Sequence, residues 1–144
     1  MIKAFINLPV NDLARSCKFF TDMGFTLNRN FMDDKGAAIV IGDNVHLMLL
    51  TRPFFSSFTK RGVADAEKEN EVIVALEVES TARVDDLAKK AIAAGATEME
   101  IFREGKWMYG RRIADVDGHI FELIHMDVAA MPKTAETTKE TSPT

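Results

Sequence analysis

The chain has 144 residues, 47% hydrophobic and 28% charged, which supplies one sizeable core under an ordinary charged surface. Its formal net charge of −4 lacks the basic stripe that nucleic-acid binding needs. No apolar run approaches the roughly 20 residues of a membrane span, and the single cysteine, Cys17, cannot close an internal disulfide, so a cytoplasmic protein is expected, with no nucleic-acid or membrane partner.

Taken in order, Ala4 to Val10 reads as an apolar-rich strand. Asn11-Asp12 follows, and Asp12 is placed to cap a helix over Leu13 to Met23, where Leu13, Cys17, Phe20 and Met23 recur at helical spacing with Phe19 beside them. Gly24 stands where a left-handed residue ends a helix. Three strands are then expected, Thr26 to Phe31, Ala37 to Ile41 and Val45 to Thr51, separated by Asp33-Asp34-Lys35-Gly36 and Gly42-Asp43-Asn44. Residues 52–70 read as a linker with a helical turn, its Phe54, Phe55 and Phe58 covering something apolar.

The second half repeats the scheme. Val72 to Val78 is a strand, Ser80 a cap, and Thr81 to Ala94 a helix with Val84, Leu87, Ala88, Ala91 and Ile92 on one stripe. Gly95 stops it. Strands are expected over Glu98 to Arg103, Tyr109 to Ala114 and His119 to Met126, with Asp117-Gly118 as the last turn. Laying Asp43 on Asp117 aligns the ends of the halves and sets Met48 opposite Glu122. This gives an α+β fold of two βαβββ modules, about 1–51 and 71–127. A polar tail over 128–144 buries too little apolar area to order itself and is expected to be flexible.

The residues Asn7-Leu8-Pro9-Val10-Asn11-Asp12-Leu13, Ser16, Phe19-Phe20 and Gly24-Phe25 resemble the opening of vicinal-oxygen-chelate modules. Asp115-Val116-Asp117-Gly118-His119-Ile120-Phe121-Glu122-Leu123 resembles their closing motif, with Val116 where the family usually has proline. The chain is thus similar to the glyoxalase, bleomycin-resistance and extradiol dioxygenase superfamily over about residues 1–127, and more narrowly to the branch labelled predicted lactoylglutathione lyases. The resemblance implies modules that curl into half-barrels around a cavity, helices outside, a homodimer, and one divalent metal held by four strand positions.

Those positions fall on Phe5, Met48, near Ile73, and on Glu122. Phenylalanine and isoleucine have no donor atom, and a thioether suits copper(I) better than harder metals. One carboxylate does not hold a catalytic ion, which generally needs three protein ligands. The expectation is therefore a metal-free, cofactor-free site for a small apolar or aromatic molecule. Glu122 would be its catalytic or polar residue, and Phe5, Asn7, His46, Met48, Trp107, Tyr109 and Arg111 would line it. His119 and His125, of opposite parity to Glu122 on their strand, should point away from the cavity. The partner of Glu122 could be Arg111, Arg112 or Tyr109. The alternative is a lyase, isomerase or dioxygenase-like metalloenzyme with zinc, nickel, manganese or iron on His46 and Glu122, where Glu122 would act as general base. A third reading is an interaction module without a ligand.

Overall fold

A capped helix follows the first strand of each half. The side chain of Asp12 accepts from the Arg15 N–H at 3.1 Å, and that of Ser80 from the Arg83 N–H at 3.0 Å, satisfying donors that a first helical turn leaves free. Gly24 and Gly95, at φ +104° and +116°, let the chain leave each helix in a left-handed turn. The computed structural model describes residues 1–132. Their order is β1 (Ala4–Val10), α1 (Leu13–Asp22), β2 (Thr26–Met32), β3 (Gly36–Gly42), β4 (Val45–Thr51), α2 (Arg52–Ser56), β5 (Ile73–Glu77), α3 (Thr81–Ala93), β6 (Thr97–Glu104), β7 (Met108–Ala114) and β8 (Ile120–Met126).

The strands form two four-stranded mixed sheets, β1-β4-β3-β2 and β5-β8-β7-β6. In each, the first and last strands of a module pair in parallel around its helix, and the rest pair antiparallel. Neither sheet closes into a barrel, and each has the form of a half-barrel. The expected α+β class of two βαβββ modules is what the chain adopts. The expected linker helix is α2, capped by the Thr51 hydroxyl and carrying Pro53 in its first turn, where a missing N–H costs nothing.

Side-chain alternation assigns each strand two faces. Ile39, Leu47 and Leu49 pack under α1, and Ile113, Phe121 and Leu123 under α3, while Leu8, Val10 and Val74 of the edge strands join the same buried cluster. These helix-facing residues, with Phe19, Phe20, Val84 and Leu87, form one continuous core. The modules join along their helix sides: α1 touches α3, and the Phe20 and Phe121 rings meet edge to face at 5.6 Å. The opposite, concave face of the first sheet is met by α2, which contacts β1 and β4, and α1 and α3 lie on the other side of the sheets.

The first residues of the tail expected to be flexible from residue 128 are ordered. Val128–Ala130 form a 3-10 turn capped by the Asp127 carboxylate, which accepts from the Ala129 N–H at 3.1 Å. Residues 133–144 of that expected tail lie outside the described residues.

Candidate functional site

On the concave face of the first sheet the parallel register of β1 and β4 sets Phe5 beside His46 and Asn7 beside Met48. The Phe5 and His46 rings stack at 4.9 Å and 14°. Asn7 Nδ2 donates to the Phe5 carbonyl at 3.2 Å. His46 Nδ1 is buried with no hydrogen-bond partner among the described residues. Ala38 lies opposite Met48 on β3. This face carries an amide and an imidazole among apolar groups, and Phe5 is 49% exposed on it.

The second sheet presents a different surface at the same repeat positions. Glu122 stands opposite Arg112 on β7, and Arg112 stands opposite Glu100 on β6. Arg112 Nε and Nη2 donate to Glu122 Oε2 at 2.8 and 2.5 Å, and Nη1 donates to Glu100. The bond to Glu122 raises the Arg112 pKa above its ordinary value. The guanidinium lies over the Phe102 ring, 5.0 Å from its centroid. Phe102 can lie there because its register partner is Gly110: a Cβ at that position would stand 2.7 Å from Phe102 Cε2 and 2.8 Å from Ile124 Cγ2.

Four expected residues, Phe5, Asn7, His46 and Met48, therefore share one face, and Glu122 occupies the corresponding face of the other module. Tyr109 and Arg111 do not join them, which corrects the expectation that they line the cavity. Both alternate with Arg112 and share the helix side of β7 with buried Ile113. The Tyr109 hydroxyl donates to Asp85 on α3 at 2.5 Å, and burial together with that bond pushes its pKa up. Arg111 bonds Glu98 and Asp85. Trp107 sits half-buried in the turn before β7, at the far end of the sheet, where its carbonyl accepts from the Asp127 N–H at 2.7 Å. Arg112 is the residue on which the sequence reading left alternatives open. Ile113 carried the missing signal, because an apolar residue on the core side puts its neighbour Arg112 on the other face.

The donor set does not fit a divalent metal. Phe5 and Ile73 offer carbon, Met48 a thioether, and Glu122 Oε2 already accepts two N–H groups from Arg112. His46 and Glu122 lie on different sheets whose strands do not pack together. Among the described residues of one chain, no three His, Cys, Asp or Glu side chains gather into a group able to hold an ion.

The ends of the concave faces are shaped by the junction of the modules. Asp117, 5% exposed, accepts from the Ser16 hydroxyl at 2.6 Å and the Asn11 N–H at 2.8 Å. His119 Nε2 lies 2.7 Å from the Pro9 carbonyl, and His125 Nδ1 lies 2.9 Å from the Val78 carbonyl. Asp115 Oδ1 accepts from the Asp117 and His119 N–H groups, both at 2.9 Å, while its buried Oδ2 has no partner among the described residues. Burial pushes its pKa up to about 6. Beside this clasp a groove of about 440 Å³ runs between Asn7, Pro9, Phe55, Arg61, Asn70 and His119. Arg52 holds the linker there by donating to the Val63 and Ala64 carbonyls, each at 3.2 Å. The groove is within the size range of small-molecule sites.

The comparisons with known proteins concern this same span. A family model described as Glyoxalase/Bleomycin resistance protein/Dioxygenase superfamily matches residues 4–123. A solved hypothetical protein from S. aureus is 31% identical, with a TM-score of 0.74, covering 87% of this chain and 95% of its own. A glyoxalase/bleomycin resistance protein/dioxygenase family enzyme from Burkholderia phytofirmans shares the fold at 15% identity and a TM-score of 0.73, covering 88% and 100%. So does a bleomycin resistance determinant encoded on the transposon Tn5, at 16% identity and a TM-score of 0.63, covering 89% and 100%. No curated protein sequence matches the chain. No described helix is long and apolar enough to cross a membrane.

Proposed function

The chain belongs to the glyoxalase/bleomycin resistance protein/dioxygenase superfamily, and within it we propose that this protein binds a small apolar or aromatic molecule without a metal, in a cavity completed by a second copy of itself. The observation that carries this is the chemistry of the concave faces. Three of the four positions that would ligate an ion have no suitable donor, and the fourth, Glu122, is bonded to Arg112.

The same faces supply what an organic ligand uses. Phe5 and His46 give a stacked aromatic wall, Met48 a deformable one, and Asn7 and Glu122 polar contacts that orient a bound molecule. Within one chain these walls stand open. Phe5 is 49% and Ile73 48% exposed, and the strands of the two sheets do not pack on each other. A partner chain that set its second module against the first would cover both apolar faces and enclose the ligand.

Protein purified without chelator should then contain no stoichiometric metal, sediment as a dimer, and melt at a higher temperature with a bound aromatic compound, because a ligand that binds only the folded state stabilises it by mass action. Glu122→Gln should weaken a cationic or hydrogen-bond-donating ligand and leave the fold intact. Zinc, nickel, manganese or iron at one ion per chain would overturn the proposal. It would favour the alternative, a lactoylglutathione-lyase-like enzyme with Glu122 as general base.

A further inference from the structure

We infer that Arg112 is the cation of this site, and that with Glu122 it forms a donor and acceptor pair selecting ligands whose carbonyl oxygen lies next to an N–H or O–H. The inference rests on the metal-free reading above and goes further, by naming the polar chemistry of the ligand.

Arginine has five N–H donors in a rigid plane. In Arg112, Nε and Nη2 each spend one on Glu122 Oε2, and Nη1 spends one on Glu100. Two N–H groups are left, one on each terminal nitrogen. Glu122 spends Oε2 on this pair and keeps Oε1 without a hydrogen-bond partner among the described residues. Both side chains reach solvent on the concave face, Arg112 at 28% and Glu122 at 21% exposure. Donors and an acceptor therefore stand side by side, facing where a ligand would lie.

The arrangement is built into the sheet. Register fixes Glu100, Arg112 and Glu122 in one row across β6, β7 and β8. Phe102 supports the guanidinium from one side, and Gly110 makes room for Phe102. Three contacts hold the fork in one orientation, so little side-chain entropy is left to lose when a ligand binds.

Charge decides between ligand classes. Glu100 and Glu122 together outweigh the single guanidinium, so a carboxylate ligand meets net repulsion. An amine could pair only with carboxylate oxygen, and would leave the two remaining Arg112 N–H groups without an acceptor once water was excluded. An amide, lactam or hydroxy-carbonyl answers both partners at once.

The experiment uses four aromatic probes of similar size on the full chain: benzamide, benzoate, benzylamine and toluene. Binding is read by titration calorimetry or amide chemical shifts. Benzamide is expected to bind the native protein tightest. Arg112→Lys keeps the charge and loses the planar fork, and should weaken benzamide about tenfold while leaving toluene unchanged, the loss typical of a hydrogen bond to a charged group. Arg112→Gln should do the same, with a thermal melt to confirm folding. Equal binding of all four probes, a preference for benzoate or benzylamine, or indifference to both substitutions would overturn the role of Arg112. Toluene binding would in those cases leave the metal-free cavity standing. Failure of toluene as well as benzamide to bind would count against both.

Discussion

The two modules agree on one side of their sheets and disagree on the other. Toward the helices, Ile39, Leu47 and Leu49 of the first correspond to Ile113, Phe121 and Leu123 of the second, all buried. On the concave side the register that sets Ala38 against Met48 sets Arg112 against Glu122, and His46 corresponds to Ile120. A duplicated fold keeps its core side because packing and dehydration constrain every atom there. Its open side is free to diverge, and that is where the modules divide an apolar wall from a charged row.

The largest test of this comparison is at the shared core. Leu49→Ala and Leu123→Ala should each destabilise the protein by about 2–5 kcal/mol, measured by denaturant unfolding. Costs of similar size would support equal packing of the modules. A loss confined to one of them would show that the other module contributes little to the cooperative core.

The next concerns pH, and only the second module should respond. Asp115 has an apolar counterpart, Ile41, at the matching place in the first module. Burial pushes the Asp115 pKa up from the ordinary 3.8 to about 6 in the folded chain. A raised carboxyl pKa means the folded state binds the proton more tightly than the unfolded one. The stabilisation from this group should therefore be fully present below about pH 4 and be lost as pH rises through 6, by up to about 3 kcal/mol across that interval. Asp115→Asn should flatten the melting temperature over that window. An unchanged slope in the variant would locate the effect elsewhere.

The smallest difference is between two glycines. Gly36 and Gly110 occupy matching places, opposite Leu50 and Ile124. A Cβ at Gly36 would stand 2.8 Å from Leu50 Cδ2, the movable end of a side chain. At Gly110 it would press on the Phe102 ring, which itself supports Arg112. Gly110→Ala should cost about 1–3 kcal/mol and disturb the Arg112 row, whereas Gly36→Ala should cost less. Equal costs in a pair of thermal melts would mean that Phe102 shifts aside as readily as Leu50.

Much of this could be read along the chain. Hydrophobic period, cap residues and stop glycines are local properties, so the helices, most strands and the repeat are set by neighbours a few residues apart. The alignment of Asp43 with Asp117 put Met48 against Glu122, and the register confirms the correspondence. Tyr109, Arg111 and Arg112 show the limit. Adjacent strand residues point to opposite faces, and a run of polar and aromatic side chains does not reveal its own phase. Only the packing of Ile113 into the core under α3 set Arg111 on that same helix side, against Asp85 and Glu98, and left Arg112 to meet Glu122. The sequence by itself determined two βαβββ repeats poor in metal-donor atoms. Tertiary structure alone decided which guanidinium faces Glu122, because that choice depends on contacts between strands distant in the chain.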